Sequence, residues 1–198
     1  MISVYQLKPK FQALLQPLLI KLRKCGFTPN GLTILALLLS IATGLFCYFG
    51  PKNIGLILLP IFLLIRMALN ALDGMMARQF DLQSKKGAVL NEIGDVLSDL
   101  ALFYPLVKLF GIIDHEWIWC FLLLSVVNEF AGLLGQALGG ERRYDGPMGK
   151  SDRALVVGVL CLLFWFDAPI YCYLTWIWLL IFGLLIWSTL KRLAYAIR

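Results

Sequence analysis

The sequence predicts an all-α integral membrane protein with six transmembrane helices and an N-terminal interfacial amphipathic helix. Of the 198 residues, 60% are hydrophobic, and the mean hydropathy is +0.81. A soluble domain of this length would be about 45–50% apolar. We therefore expect one membrane domain over residues 1–198, with the interfacial helix in residues 1–30 and a six-helix bundle in residues 31–198.

The N-terminal segment is predicted to be a helix that lies in the membrane interface. Apolar residues recur along it at helical spacing, and lysines occupy the other face. A Thr-Pro-Asn-Gly turn at residues 28–31 is expected to precede the first span. The helix either anchors the topology or contacts lipid and gates a substrate, and the sequence leaves both roles open. The apolar residues are Val4, Leu7, Phe11, Leu14, Leu15, Leu18 and Leu22.

Six apolar segments approach the length of about 20 residues that a spanning helix needs. The fifth is the shortest, and we expect its helix to begin one turn earlier. The first lies some way into the chain with no small-residue cleavage site after it, so we do not interpret it as a cleavable signal peptide. The segments are Leu32–Phe49, Ile54–Leu72, Ala88–Ile112, Trp117–Leu138, Ala154–Phe166 and Ile170–Leu190.

The net charge is +6, and the cations are concentrated in alternate loops. Lysines and arginines precede the first span, separate the second from the third, separate the fourth from the fifth, and follow the sixth. The positive-inside rule then places both termini and these loops in the cytoplasm. The single histidine, His115, lies in a loop on the other side. A general base on the cytoplasmic face must therefore be a carboxylate.

Two polar stripes are expected to face each other where the second and third spans meet the cytoplasm. Arg66, Asn70 and Asp73 are spaced i, i+4, i+7 and share one helix face. The loop at Gln79–Lys86 reverses the chain and brings the next stripe opposite. Oxygen ligands that converge in this way suit a hard cation such as Mg2+ or Mn2+. The second stripe consists of Gly87, Asn91, Asp95 and Asp99.

Small residues and an arginine beside these acids favour a diphosphate substrate. Gly74 and Gly87 let a ligand approach the backbone closely, although a helix-end cap would also explain them. Arg78 follows Gly74 by one turn, and a guanidinium suits phosphate oxygens.

In the types and spacing of these residues, the chain resembles the CDP-alcohol phosphotransferases, which are membrane enzymes of phospholipid synthesis. Asp73-Gly74, Ala77-Arg78, Gly87 and Asp95 match the family pattern. Pro-Asn-Gly-Leu-Thr at residues 29–33 and Gly-Pro-Met-Gly-Lys-Ser-Asp-Arg at residues 146–153 are similar to two further family segments. The resemblance covers nearly the whole chain. It points to an uncharacterised branch of this family whose members lie in the bacterial inner membrane.

The resemblance implies transfer of a phosphatidyl group from a CDP-linked lipid, such as CDP-diacylglycerol, to a small hydroxyl acceptor with release of CMP. Asp95 would act as the base and Arg78 would offset phosphoryl charge. Membrane lipids and a second copy of the chain are the other expected partners, and nucleic acid is not expected. The implied ligands of Mg2+ or Mn2+ are Asp73, Asn70, Asn91, Asp95 and Asp99. The implied nucleotide-binding residues are Gly74, Ala77, Arg78, Gly87, Asn30 and Thr33.

Two positions depart from the family pattern, because its first and third aspartates are Asn70 and Asn91 here. An asparagine offers a neutral oxygen in place of a charged one, so we expect one cation, or a weaker second cation site. Asp99 and Glu92 are expected to restore part of the charge, unless Asp99 pairs with Arg66 instead. A catalytically impaired relative that binds a CDP-lipid is the alternative that the sequence leaves open.

The acceptor is expected to contact the basic loop between the fourth and fifth spans. Its four cations favour an acceptor that carries phosphate, unless they serve only to set the topology. Glu129, deep in the fourth span, needs a partner, and either pairs with Arg66 or lines the acceptor pocket with it. The cations are Arg142, Arg143, Lys150 and Arg153.

A lipid transporter is the rival function from another class. It predicts ionisable residues along the full depth of the bilayer and discontinuous, repeated helices. The ionisable residues instead concentrate in the cytoplasmic half, which favours the enzyme.

Overall fold

The computed structural model describes residues 8–111 and 115–197, except for the side chains of Lys8 and Tyr171. This part of the chain is helical and contains no strand, which confirms the predicted all-α class. A short 3-10 helix at Tyr171–Tyr173 precedes the last α-helix. The α-helices are α1 (Lys8–Lys24), α2 (Pro29–Phe49), α3 (Lys52–Gln79), α4 (Lys85–Phe103), α5 (Leu106–Phe110), α6 (His115–Ala137), α7 (Lys150–Trp165) and α8 (Leu174–Ala196).

Within the described residues, four helices are long and apolar enough to cross a membrane, namely α2, α3, α6 and α8. The predicted third span is not one helix. It divides into α4 and α5, because Pro105 has no N–H with which to continue the helical hydrogen bonds. The fifth span corresponds to α7, which has only 16 residues. The number of six spans therefore stays a prediction. The homodimer also stays a prediction.

Two helix starts explain how the site segments are placed. The Thr28 hydroxyl caps α2 by accepting from the Gly31 N–H at 3.1 Å, and Pro29 occupies the first turn. Residues 28–31 are thus the beginning of the helix, whereas the sequence predicts a turn before it. α7 begins at Lys150, one turn before the predicted span, as expected.

Helix α1 packs against α3 through part of its apolar face. Leu15 and Leu19 are buried in a cluster with residues of α2 and α3, whereas Leu14 is 76% exposed. The Gln16 and Gln79 side-chain amides exchange hydrogen bonds of 3.0 and 3.1 Å. Placement in the membrane interface stays a prediction. Val4 and Leu7, which the sequence assigns to this helix, lie outside the described residues.

An aromatic core occupies the end of the bundle away from the Asp73 motif. Phe103 of α4 and Trp178 of α8 both contact Phe121 of α6, with ring centroids 5.3 and 5.5 Å apart. Phe110 stacks on Phe164 at 4.4 Å. Since the helices alternate in direction, the opposite ends of α3, α4, α6, α7 and α8 meet at the other end of the bundle.

Helices α2 and α4 approach each other closely along their length. A Cβ added at Gly44 would lie 2.1 Å from the Ala101 carbonyl oxygen, so only glycine fits. Nearer the motif, the Thr33 methyl group faces Gly94, where an added Cβ would lie 3.5 Å away. The contact places Thr33 between α3 and α4.

Candidate active site

Asp73 is held by helix α2. Asp73 is only 4% exposed, and its Oδ2 accepts a hydrogen bond from the Thr33 hydroxyl at 2.8 Å. The same hydroxyl oxygen lies 3.1 Å from the Pro29 carbonyl. Because Thr33 touches both neighbouring helices, it fixes the direction in which the Asp73 carboxylate points.

Asp95 lies on α4 and faces the Asn70–Asp73 stripe of α3. Its Oδ1 accepts a hydrogen bond from Asn70 Nδ2 at 2.8 Å and forms an ion pair with Lys150 Nζ. Arg66 donates to the Asp95 carbonyl oxygen at 2.9 Å. The two halves of the sequence motif therefore meet, as predicted.

The orientation of Asn70 differs from the expectation that its oxygen is a metal ligand. Its nitrogen points to Asp95, because a carboxylate accepts hydrogen bonds and only the amide N–H groups can pair with it. Asn91 is partly buried on α4. The described residues contain no group of three or more His, Cys, Asp or Glu side chains that could hold a metal. Asp73 and Asp95 are thus the two carboxylates at this point.

A second cluster lies beside the first and consists of buried ion pairs. Asp99 pairs through Oδ1 with Arg66 Nη1 and through Oδ2 with Arg153 Nη2, the latter at 2.7 Å. The same Arg153 nitrogen lies 2.9 Å from Glu129 Oε1. Arg66 therefore pairs with Asp99, one of the two predicted alternatives, and not with Glu129. Both Asp99 oxygens are engaged, which argues against its expected role as a metal ligand.

The cluster extends to the basic loop through Glu129. Glu129 Oε2 lies 3.1 Å from Arg142 Nη2, and the other Arg142 nitrogen pairs with Glu92. Arg192 of α8 lies 3.9 Å from Glu129 Oε1 and donates to the Asn128 carbonyl at 2.8 Å. Lys150, Arg153, Arg142, Glu129 and Arg66, all predicted to bind the acceptor, therefore belong to one connected network.

Sequence reasoning missed one member of this network, Arg192. The sequence predicts a topology charge there, after the last span, but Arg192 is a buried residue of α8. Its spacing of i, i+4 from Ser188, which also faces the loop by contacting the Asp145 carbonyl, is a signal that could have found it. Glu92, which the sequence expects to restore charge beside Asp95, shares the stripe of Asp95 and Asp99 on α4 and pairs with Arg142.

Arg143 does not join the network. Its guanidinium lies 3.0 Å from Asp145 and 4.7 Å from the centre of the Tyr195 ring. Its main chain packs on α6, where its N–H donates to the Gly132 carbonyl at 3.0 Å. The structure therefore places this predicted acceptor-binding residue at the rim.

The predicted nucleotide-binding residues line the open side of the Asp73 region. The Arg78 guanidinium lies over Gly74, where an added Cβ would be 3.4 Å from Nη1. Asn30 of α2 packs on Gly87, where a Cβ would be 2.8 Å from the Asn30 oxygen. Ala77, which lies between Gly74 and Arg78 on α3, is partly buried. A cavity of about 370 Å³ adjoins Arg78 between α1 and α3.

Comparison with known proteins agrees with this arrangement. The family model for CDP-alcohol phosphatidyltransferase matches residues 27–190. The inner membrane protein YnbA of Escherichia coli is 43% identical over 194 residues, which are 96% of this chain and 94% of that protein. Archaetidylinositol phosphate synthase of Pyrococcus horikoshii is 26% identical over 157 residues, 79% of this chain and 81% of that protein.

Solved structures share the fold. Mycobacterium tuberculosis phosphatidylinositol phosphate synthase with manganese and citrate has a TM-score of 0.74 and 22% identity, over 91% of this chain and 87% of that one. The same enzyme with CDP-DAG bound has a TM-score of 0.70 and 23% identity, over 91% and 92%. With the family model spanning most of its length, the chain belongs to the CDP-alcohol phosphatidyltransferase family.

Proposed function

We propose that this protein is a metal-dependent phosphatidyltransferase that moves the phosphatidyl group of a CDP-linked lipid, such as CDP-diacylglycerol, to a small hydroxyl acceptor and releases CMP. The observation that carries the proposal is that the stripe of Asn70 and Asp73 on α3 faces Asp95 on α4, to which Asn70 donates at 2.8 Å. The related enzyme of M. tuberculosis, which binds manganese and CDP-DAG, supports it through a shared fold.

The donor set fits one Mg2+ or Mn2+ ion. Asp73 and Asp95 supply two carboxylates, with Lys150 and Arg66 as neighbouring cations of Asp95, and hard oxygen ligands suit these metals. Asn70, after its amide turns, and Asn91 would add neutral oxygens. When bound, such a cation would withdraw charge from phosphoryl oxygens. We propose one cation rather than two, since the arginines already engage Asp99.

Asp95 is suited to remove the acceptor proton. Its described side-chain contacts with Asn70, Lys150 and Arg66 all involve Oδ1. Among the described residues, Oδ2 is therefore left to take the proton. The ammonium of Lys150 orients the carboxylate, which increases the fraction of time in which Oδ2 faces the acceptor.

The remaining predicted residues position the CDP group. The exposed Arg78 guanidinium above Gly74 can reach phosphate oxygens, where it offsets the charge that moves to the leaving group. Gly74, Ala77 and Gly87 present backbone without bulky side chains. Asn30 borders this surface at Gly87, whereas Thr33 acts through Asp73, because its hydroxyl is already in contact with that carboxylate.

A protein that binds a CDP-lipid without turning it over is the second candidate. The observation that favours it is the hydrogen bond from Asn70 to Asp95, which turns the Asn70 nitrogen toward the metal-binding region. Residual CMP release separates the two candidates. In either case we propose that the polar end of the bundle faces the cytoplasm of a bacterial inner membrane, a location that the inner membrane relative supports.

The test is CMP release from CDP-diacylglycerol by the full-length protein purified in detergent, with Mn2+ or Mg2+ and with EDTA. Glycerol, inositol, serine and the phosphates of glycerol and inositol serve as acceptors. We expect metal-dependent release that Asp73→Asn and Asp95→Asn abolish, while the exposed Asp81→Asn control releases CMP normally. Binding of the CDP-lipid without release under any condition would instead establish the second candidate.

A further inference from the structure

All four cations of the basic loop region have carboxylate partners. Arg142 contacts Glu92 and Glu129, whereas Arg143 contacts Asp145. The other two pairs reach residues of α4. They are Lys150 with Asp95 and Arg153 with Asp99, and Arg153 also contacts Glu129.

Glu92 and Glu129 hold Arg142 from two sides. Each of its two terminal nitrogens faces one of these carboxylates. The guanidinium side chain is mostly buried, with 15% of its surface exposed, and the Glu92 side chain is 23% exposed. A ligand that reached Arg142 from the open side would therefore also contact carboxylate oxygens.

A phosphate group needs cations whose charge is not already offset. Charge complementarity decides specificity, because placing like charges side by side is strongly unfavourable. A phosphorylated acceptor would have to displace Glu92 or Glu129 from Arg142, or Glu129 from Arg153, and the displaced carboxylate would then be buried without a partner. An uncharged ligand would leave these ion pairs intact.

We infer that the acceptor is an uncharged polyol, and that Glu92 excludes phosphorylated acceptors by neutralising Arg142. This inference rests on the proposed function. Hydroxyl groups both donate and accept hydrogen bonds, so a polyol can donate to the carboxylates of Glu92 and Glu129 and accept from the arginines.

The first measurement compares matched acceptors in the CMP-release assay. The full-length protein with CDP-diacylglycerol and Mn2+ receives glycerol or glycerol 3-phosphate, and inositol or inositol 1-phosphate. We expect the uncharged member of each pair to give kcat/KM at least about tenfold higher, because the phosphate meets paired cations. A phosphorylated member that reacts as well as its uncharged partner, or better, would overturn the inference and leave the proposed function intact.

The second measurement changes the charge of the subsite. Glu92→Gln keeps the shape of the side chain but removes one of the two carboxylate charges that hold Arg142, so we expect the preference for the uncharged acceptor to fall by about tenfold or more. Glu141→Gln is the matched control, since Glu141 is an exposed carboxylate of the same loop region. An unchanged preference in Glu92→Gln would remove Glu92 as the specificity residue.

Two readouts keep the outcomes separate. The thermal midpoint of each purified variant shows whether it is folded. The midpoint with added glycerol 3-phosphate reports binding without turnover, and we expect a rise for Glu92→Gln and none for the unmodified protein. Absence of CMP release with every acceptor would overturn the proposed function, and the inference with it.

Discussion

Two groups of buried carboxylates lie side by side in this bundle and differ in what their oxygens contact. Asp73 and Asp95 form the first group. Their partners are the Thr33 hydroxyl, the Asn70 amide, the Lys150 ammonium and, at 3.8 Å from Asp95 Oδ1, the Arg66 guanidinium. Both cations contact Asp95, whereas the described hydrogen-bond partner of the Asp73 side chain is the neutral Thr33 hydroxyl.

Asp99 and Glu129 form the second group, and their partners are guanidinium groups. Asp99 lies between Arg66 and Arg153, and Glu129 contacts Arg153 and Arg142. Here the protein supplies the opposite charge itself. Buried charges persist only when they are paired, so the first group is suited to bind a cation and substrate, while the second supports the bundle.

The largest expected effect is on turnover, in the first group. Asp95→Asn removes the proton acceptor, and we expect the rate of CMP release to fall about 10²–10⁴-fold. The amide oxygen can still accept from Asn70, so the thermal midpoint should change less than it does in Asp99→Asn. A rate close to that of the unmodified protein would show that Asp95 is not the base.

The next effect is on stability, in the second group. Asp99→Asn removes the carboxylate charge that lies between Arg66 and Arg153, and we expect the free energy of unfolding to fall by about 3–5 kcal/mol. Unfolding in a detergent titration measures it, with the exposed Asp81→Asn as the control. A protein as stable as the control would mean that the ion pairs of Asp99 do not support the fold.

Thr33→Val removes the hydroxyl that donates to Asp73 and keeps nearly the same side-chain shape. Because Asp73 is buried, loss of the hydroxyl leaves its Oδ2 without this donor, and we expect a cost of about 1–3 kcal/mol in the free energy of unfolding. Thr189→Val is the control, since that hydroxyl bonds only the Leu185 carbonyl of its own helix at 2.8 Å. Equal effects in the two variants would contradict the positioning role of Thr33.

The smallest effect is expected at the rim. Arg143 and Asp145 are each 31% exposed in their side chains, and solvent-exposed ion pairs contribute about 0–1 kcal/mol. Arg143→Gln should therefore change the unfolding free energy by less than about 1 kcal/mol, and Arg153→Gln by several times more. Similar losses in both variants would show that burial does not separate the two arginines.

Much of the fold followed from local sequence. Apolar segment lengths predict where helices occur, and the early start of α7 at Lys150 agrees with the sequence. The break between α4 and α5 at Pro105 was not predicted, because hydropathy alone does not detect a helix interruption inside an apolar segment. The start of α2 was also misplaced, since Pro29 looks like a turn residue but suits the first position of a helix.

The sequence by itself determined the membrane class, the family, and the meeting of Asp73 with Asp95, because these depend on composition, on motif spacing and on one short loop between adjacent helices. Only the tertiary structure decided which charge pairs with which. Arg153 pairs with both Asp99 and Glu129, although it lies 54 and 24 residues from them in the chain. Spacing along a helix fixes which residues share a face, but packing between helices fixes what that face meets.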